Sequence, residues 1–264
     1  MQFALSVFGI LTKIKICKIM NIMDKIMERI DDSSYLISMA SVENIIEMGR
    51  FLKFNENSKI LDLCCGYGTM LKILCQEYNI NGKGIDLSKE FIDIGKNRIK
   101  EANISEKINL ECSNINDCKE IGYDVVICTE TYILGSLNNA ITELAKFIKP
   151  NGTIIIGLLT SPEEEIPDEL KEFDGINLHK EIDVYNSLLD SGYAISFIAR
   201  STQNQWDKYF TWDSKRTVSE IRSAKTVEEK KKAEEWLKKW YTMYAKYRIK
   251  YEQWCLYAIE KISI

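Results

Sequence analysis

The chain has 264 residues, of which 45% are hydrophobic and 28% are charged, and its net charge is −4 at pH 7. Such a chain is globular, with one large α/β domain carrying insertions or two small domains. Acidic residues outnumber basic ones, so the net charge gives no electrostatic reason to bind a phosphate backbone, and we expect no nucleic-acid partner. Eight cysteines without a C-x-x-C spacing indicate reduced thiols, a cytoplasmic location and no metal site.

The N-terminal region begins with an apolar run over residues 3–11, and Lys13, Lys15 and Lys18 follow that run. A signal peptide carries its basic residues before the apolar centre, and a membrane span needs about 20 apolar residues. We therefore expect no membrane partner. We interpret residues 1–40 as a helical lead-in that covers a main domain formed by residues 41–264, in a protein that is a monomer or a homodimer.

Strand-like and helical patterns alternate between residues 41 and 157. A helical pattern over residues 41–52 precedes strand-like runs at 60–63, 84–87, 108–112, 123–128 and 153–157. Helical patterns follow the first, second and fourth of these runs. Short apolar strands between helices are typical of a parallel, doubly wound sheet, which binds ligands at the carboxyl ends of its strands.

The remaining third of the chain has longer connections. A polar stretch over 161–177 precedes a helical pattern at 180–191, a strand at 193–199, a helical region at 205–247 and a last strand at 253–261. Long connections in α/β enzymes tend to be lids or substrate walls. Aromatic residues three or four positions apart over 236–251 favour core packing. His179, the single histidine, is expected in a solvent-exposed loop.

The stretch over residues 59–70 combines a strand, a small-residue turn and the start of a helix. Gly66 and Gly68 tolerate a positive φ and carry no Cβ, so a ligand can approach the backbone closely. The free N–H groups at the start of the helix, near Thr69, point toward such a ligand. This stretch therefore predicts a ligand-binding loop.

Polar residues at the ends of the next two strands restrict the kind of ligand that this loop can bind. Asp86 follows Asp62 at close to the offset of about 20 residues at which a carboxylate meets ribose hydroxyls. Asn114 ends the third strand, where an adenine ring would lie. Leu71 occupies a position where a dinucleotide site prefers a small residue, and the Gly-Lys-Ser/Thr of a triphosphate loop is absent. The set predicts an adenosine-containing cofactor.

The order Asp62-x-Cys64-x-Gly66-x-Gly68 resembles motif I of the class I S-adenosylmethionine-dependent methyltransferases, and the resemblance extends over about residues 40–160. It implies S-adenosylmethionine (SAM) as cofactor. It also implies a Rossmann-like seven-stranded sheet, mostly parallel with an antiparallel last strand, with N-terminal helices and a helical insertion at about 203–250. Cys64 departs from the usual first glycine of the motif, and Asn114 replaces a common Asp.

The resemblance also assigns roles to individual residues. In that family the first acidic residue lies near the methionine end of the cofactor, the glycines contact its backbone, and the acid after the second strand binds the ribose. The residues after the third strand flank the adenine. The implied cofactor-binding residues are Asp62, Cys64, Gly66, Tyr67, Gly68, Thr69, Asp86, Leu87, Asn114, Ile115 and Thr129.

Methyl transfer needs the nucleophile aligned with the methyl carbon, and it needs a general base only when the nucleophile starts protonated. Glu130, after the fourth strand, is the candidate base or substrate anchor, although capping a helix or facing water explains it equally well. Tyr35, Tyr132, Trp206 and Tyr209 are candidates for an aromatic substrate pocket.

The expected acceptor is a small molecule, because the chain loosely resembles a bacterial subgroup thought to act on small molecules. The run Cys128–Thr131 lacks the Asp/Asn-Pro-Pro-aromatic tetrad of methyltransferases that modify DNA bases. Three alternatives stay open: a methyltransferase acting on RNA or protein, a protein that binds SAM or S-adenosylhomocysteine (SAH) without catalysis, and a nicotinamide-linked reaction.

Overall fold

The computed structural model describes residues 31–262 except 33, 176 and 177. Residues 1–30 of the lead-in predicted over residues 1–40 therefore lie outside the described residues. In the part of the chain that is described, none of the helices has the length and apolar character needed to cross a bilayer.

The first part of the chain alternates helices and strands as predicted. Its elements are α1 (Val42–Phe51), β1 (Lys59–Leu63), α2 (Thr69–Tyr78), β2 (Asn81–Asp86), α3 (Lys89–Glu101), β3 (Ile108–Cys112), β4 (Tyr123–Cys128), α4 (Leu137–Ala145) and β5 (Ile148–Ser161). The hydroxyl of Ser41 caps α1 by accepting the N–H of Asn44 at 3.1 Å, and Ser88 caps α3 in the same way.

The second part contains two long helices before the last strand. Its elements are α5 (Asp168–Asp174), β6 (Leu178–Lys180), α6 (Glu181–Asp190), β7 (Tyr193–Arg200), α7 (Gln203–Ser223), α8 (Val227–Met243) and β8 (Gln253–Lys261). A π-helical turn at Tyr244–Arg248 and one helical turn at Ile249–Tyr251 connect α8 to β8. Capping boxes start both long helices, with Thr202 and Gln205 at α7 and Thr226 and Glu229 at α8.

The eight strands form one sheet in the order β3-β2-β1-β4-β5-β8-β7, with β6 paired to β5 beside this path. β8 runs antiparallel to both β5 and β7, and the other pairs are parallel. The predicted α/β fold, the antiparallel last strand and the helical insertion are confirmed. The sheet has one strand more than the predicted seven, because the three-residue strand β6 is too short to produce an alternating pattern.

Both faces of the sheet are buried. Ile60 and Leu256 belong to the apolar cluster under α1 and α2, whereas their neighbours Leu61 and Tyr257 belong to the cluster under α4 and α6. Alternate residues of a strand point to opposite faces, so each central strand contributes to both clusters. The faces are covered by helices, and the carboxyl ends of the parallel strands are the place left for a ligand.

Candidate active site

A cavity of about 340 Å³ lies at the carboxyl ends of β1, β2 and β4. Its walls contain Asp62, the loop residues Cys64 and Gly66, and Asp86. We call this cavity the first chamber. It occupies the position at which open α/β sheets bind their ligands.

The loop after β1 owes its shape to three residues with a left-handed backbone: Cys64 (φ 62°), Gly66 (φ 55°) and Gly68 (φ 67°). A Cβ on Gly68 would lie 2.7 Å from Cδ2 of Leu110, whereas a Cβ on Gly66 would meet only Ile37, at 3.8 Å. Gly68 therefore lets the loop pack on β3, and Gly66 borders the cavity. At Cys64, a side chain in this conformation costs about 1–2 kcal/mol.

The carboxylate of Asp86 joins two loops at the edge of the first chamber. Its Oδ2 accepts the N–H of Gly66 and its Oδ1 accepts the N–H of Ser88, both at 2.8 Å. Each carboxylate oxygen accepts more than one hydrogen bond, so Asp86 can still accept hydroxyl groups from a ligand. The ribose of an adenosine cofactor carries such hydroxyls.

Asp62 lies at the floor of the first chamber, and only 4% of its surface is exposed. Burial, together with the nearby Asp86, raises the pKa of Asp62 to about 8. A buried carboxylate becomes a stable anion when a positive charge lies beside it. The first chamber therefore fits a ligand that places a cationic group near the end of β1.

The residues before α1 cover the loop after β1. The hydroxyl of Thr69 donates to the carbonyl oxygen of Tyr35 at 3.0 Å, and the guanidinium of Arg98 lies 3.7 Å from the centre of the Tyr35 ring. Asp32 forms ion pairs with Lys72 at 2.9 Å and with Arg98 at 2.7 Å. Residues 35–38 thereby become a wall of the first chamber.

A second cavity, of about 380 Å³, adjoins the first, and we call it the second chamber. The residues common to both cavities form a shared wall, namely Ile37, Ser38, Thr129, Glu130, Tyr132, Tyr209, Asp213 and Arg216. The far side of the second chamber is aromatic and consists of Phe173, Trp206, Trp236, Trp240 and Trp254. Two ligands bound in the chambers would meet at the shared wall.

Glu130 stands in the shared wall, where the chain leaves β4. It precedes the 3-10 turn Thr131–Leu134, but its side chain makes no capping hydrogen bond. Burial and the nearby Asp86 raise the pKa of Glu130, and a hydrogen bond with Tyr132 opposes this shift. Burial raises the pKa of both Tyr132 and Tyr209 to about 12. Glu130 is thus a partly buried carboxyl group in the wall of both chambers, and its side chain does not cap the turn that follows it.

Arg248, in the π-helical turn, is buried at the aromatic side of the second chamber. It pairs with Asp174 at 3.1 Å and with Glu252 at 2.5 Å, and its guanidinium lies 4.9 Å from the Trp240 ring centre and 5.2 Å from that of Trp206. Burial and the nearby Asp174 raise the pKa of Glu252 to about 9. One of the two carboxyl groups therefore keeps a proton at pH 7, and the cluster is neutral as a whole.

The profile of the methyltransferase domain family matches residues 54–246. The chain belongs to this family. It is an enzyme that transfers methyl groups, and the family uses SAM as the donor. The cationic ligand that fits beside Asp62 agrees with this donor, because SAM carries a sulfonium and an ammonium group.

Relatives of this methyltransferase include proteins with and without a known substrate. It is 29% identical over 178 residues to the uncharacterized protein YjhP of Escherichia coli. That alignment covers 63% of this chain and 70% of YjhP. It is 28% identical over 155 residues to phosphoethanolamine N-methyltransferase of Plasmodium falciparum, over 56% of this chain and 57% of that enzyme. A SAM-dependent methyltransferase from Geobacter sulfurreducens in complex with SAH superposes with a TM-score of 0.77 at 22% identity, over 86% of this chain and 93% of that chain. The superposition shows the same fold.

The first chamber of this methyltransferase brings together most of the residues predicted from sequence. Its lining includes Tyr35, Asp62, Cys64, Gly66, Tyr67, Thr69, Asp86, Thr129, Glu130, Tyr132 and Tyr209. Gly68 lies behind the loop against Leu110, and Trp206 lines the second chamber.

Besides Gly68, three predicted cofactor residues lie outside the linings of both chambers. Leu87 is 71% exposed, and Ile115 packs against the apolar cluster under α4 and α6. Oδ1 of Asn114 accepts the N–H of Asn116 at 2.9 Å and so caps its own turn. Their roles around the adenine stay predictions.

Sequence reasoning missed much of the second chamber. Asp213 and Arg216 in the shared wall, and Arg248 beyond it, gave no motif signal. The aromatic spacing over 236–251 was visible, but it was interpreted as core packing, whereas Trp236 and Trp240 border a cavity. His179 was expected in solvent, but it is half-buried in β6 and lines the same chamber, where burial lowers its pKa.

The cysteines within the described residues are free thiols. In the same part of the chain, His, Cys, Asp and Glu side chains form no group of three or more that could hold a metal ion.

Proposed function

We propose that this methyltransferase holds SAM in the first chamber and transfers its methyl group to a small molecule held in the second chamber. The observation that carries this proposal is the shared wall, because it makes the two cavities meet beside Glu130, Tyr132 and Tyr209. A methyl group that crosses at this wall leaves one chamber and enters the other without passing through solvent.

The first chamber offers complementary groups for the ribose and for the methionine end of the donor. Asp86 would accept the ribose hydroxyls, and Asp62 would face the positively charged methionine end. Gly66 leaves room for the donor beside the loop backbone, since a Cβ there would meet only Ile37, at 3.8 Å. The free N–H groups at the start of α2, next to Thr69, would contact the same end of the donor.

The second chamber supports a small acceptor. Its volume of about 380 Å³ lies within the range of pockets that bind small molecules. Aromatic side chains enclose it between the sheet and the helices α7 and α8, whereas an RNA or a polypeptide would need an open groove. The free thiols support the cytoplasm as the place where the enzyme works.

Glu130 would act as the general base when the acceptor arrives protonated. A carboxylate catalyses proton transfer best when its pKa lies near the working pH, and burial moves Glu130 in that direction. The hydroxyl groups of Tyr132 and Tyr209, which keep their protons because their pKa is about 12, would orient the acceptor as hydrogen-bond donors.

The binding part of this proposal is tested by calorimetry with SAH and by a crystal structure of the SAH complex. We expect one molecule of SAH per chain, with its density along the loop over residues 62–69 and its sulfur facing the shared wall. SAH density elsewhere would overturn the proposed donor site. A turnover screen of small acceptors, with SAH formation as the readout, then identifies the substrate class.

The variant Glu130→Gln tests the proposed base. Removing a general base lowers kcat by about 10²–10⁴-fold, and because Glu130 is not assigned to donor binding, the Kd of SAH should stay within about twofold of the wild-type value. The measurements are single-turnover kinetics with an acceptor from the screen, and calorimetry with SAH. An unchanged kcat would exclude Glu130 as the base.

A further inference from the structure

The charged groups around the second chamber restrict the acceptor that the proposed function leaves open. The described lining residues contain two permanent cations, Arg216 and Arg248, besides His179, whose pKa is lowered by burial. Arg216 pairs with Asp213 and Glu220, both at 2.6 Å. Arg248 pairs with Asp174 and Glu252. Both guanidinium groups are thus already neutralised, and an anionic acceptor would have to displace a carboxylate.

Buried carboxylate oxygens without a hydrogen-bond partner among the described residues occur beside Arg248, on Asp174 and Glu252, and at the shared wall, on Asp213. Of these three residues, Asp213 lines both chambers. Asp213 is 6% exposed and lines both chambers, and its Oδ1 accepts from Nη2 of Arg216 at 2.6 Å and from Nε at 3.2 Å. Its Oδ2 is buried and has no hydrogen-bond partner among the described residues. Leaving a buried carboxylate oxygen without a donor is costly, so this oxygen has unused capacity for a ligand.

Glu130 adds a second carboxyl group to the same wall, which Tyr209 also lines. Besides burial, the charges of Glu130 and Asp213 both raise the pKa of the Tyr209 hydroxyl. A single ammonium group placed at this wall would lie next to two carboxyl groups, of which only Asp213 has a cationic partner, Arg216. The aromatic side of the second chamber would contact an apolar body attached to the ammonium.

We propose that the acceptor is a small amine with an apolar body, and that Asp213 binds its ammonium group and determines this preference. This inference rests on the proposed function of the two chambers. The ammonium loses one proton to the Glu130 carboxylate and becomes a neutral amine. The nitrogen lone pair then forms the N–CH₃ bond while the S–CH₃ bond of SAM breaks, and the bonding electrons remain on sulfur as SAH. The product is a methylammonium ion.

The test measures binding of matched ligands to the SAH-loaded enzyme. We would use phenyl, cyclohexyl and indolyl compounds, each with an ethylamine, an ethanol or an acetic acid side chain, in calorimetric titrations. At least one of the three amines should bind about tenfold more tightly than its alcohol, and its acid should bind more weakly still. Absence of an amine preference in all three series would overturn the proposal.

The variant Asp213→Asn assigns the preference to one residue. We expect it to remove about tenfold of the amine affinity while leaving the alcohol affinity unchanged. Glu220→Gln is the matched control, because Glu220 also pairs with Arg216 but lies at the exposed surface, and it should change none of these values. Equal losses for amine and alcohol would show that Asp213 only shapes the chamber.

The two proposals fail in different ways. If SAH does not bind to the wild-type enzyme, the proposed function fails. If SAH binds and methyl groups go only to alcohols or acids, the proposed function holds and the amine preference fails. The wild-type titrations decide the amine preference even if the Asp213→Asn variant does not fold.

Discussion

The two chambers are built in different ways. The first chamber depends on backbone conformation and on strand ends that are close in sequence, because Asp62, Gly66 and Asp86 all lie within two consecutive β-loop-α units. The second chamber depends on side chains from distant segments, such as Trp206 in α7, Trp240 in α8 and Arg248 in the π-helical turn. On the proposed assignment of SAM to the first chamber and the acceptor to the second, we expect that donor binding and acceptor binding can be changed separately, and the following variants test that separation.

The largest effect is expected from Arg248→Met in the second chamber. Removing the guanidinium leaves Asp174 and Glu252 buried without a cation, which costs about 3–5 kcal/mol of the free energy of unfolding. The folded fraction should still bind SAH with the wild-type Kd. Chemical denaturation and calorimetry measure the two quantities.

Lys149→Met is the control for Arg248→Met, because Lys149 pairs with Asp124 and both side chains are more than one-third exposed. The Lys149→Met variant should lose less than about 1 kcal/mol of the free energy of unfolding. A more than tenfold weaker binding of SAH to Arg248→Met would mean that the chambers are coupled.

The variant Gly68→Ala tests the first chamber. The alanine would keep a φ of 67°, and its Cβ would lie 2.7 Å from Leu110, so left-handed strain and overpacking together cost about 2–5 kcal/mol of the free energy of unfolding. We also expect SAH to bind at least about tenfold more weakly, because the loop must shift. Gly122→Ala, with φ 83° and no atom within 4 Å of its Cβ, should lose only the strain of about 1–2 kcal/mol and keep its SAH affinity. If Gly68→Ala and Gly122→Ala lost the same free energy of unfolding, the whole cost at Gly68 would come from the left-handed backbone strain.

The variant Asp62→Asn separates donor affinity from stability. The folded-state pKa of Asp62 is about 8 and the unfolded value is about 3.9, so the folded protein binds more protons between these values and loses stability as the pH rises through this window. Asn does not titrate, so the variant should have a higher Tm than the wild type at pH 8 and no advantage at pH 4. Its affinity for SAM at pH 8 should fall about tenfold, because the anion that faces the donor is gone.

Calorimetry and thermal melts at several pH values check both parts of the Asp62 prediction. The wild-type affinity for SAM should also rise with pH toward 8, since the carboxyl group must ionise to face the cation. A SAM affinity that is independent of pH would contradict the proposed contact.

The smallest expected effect concerns Cys64, whose φ is 62°. Gly adopts this conformation without strain, whereas Ala keeps the strain, and both variants remove the thiol, so they differ only in the strain. Cys64→Gly should therefore be about 1 kcal/mol more stable than Cys64→Ala in chemical denaturation. Equal stability would show that the loop relaxes around residue 64.

The sequence was sufficient for the fold and for much of the first chamber. Strand periodicity and the positions of Asp62, Gly66 and Asp86 are local properties, and a parallel sheet brings the carboxyl ends of its strands together by its own geometry. The role of Cys64 was marked as a departure from the motif, and the structure gives that residue the glycine-like conformation that the motif expects.

The second chamber could not be predicted in the same way. The pairing of Arg248 with Asp174 joins residues more than 70 positions apart, and no local pattern encodes it. Trp236 and Trp240 have the spacing of a buried helix face, so a cavity wall and a solid core give the same signal. β6 and His179 were missed because three residues do not establish a period.

The antiparallel pairing of β7 with β8 has a consequence for evolution. Arg200 near the end of β7 faces Cys255 near the start of β8, so the chain leaves the sheet for α7 and returns from α8 at neighbouring positions. A segment whose two ends are already held together tolerates changes of length and sequence at small entropic cost. The two helices can therefore change in length and sequence while the pairing of β5, β8 and β7 stays the same.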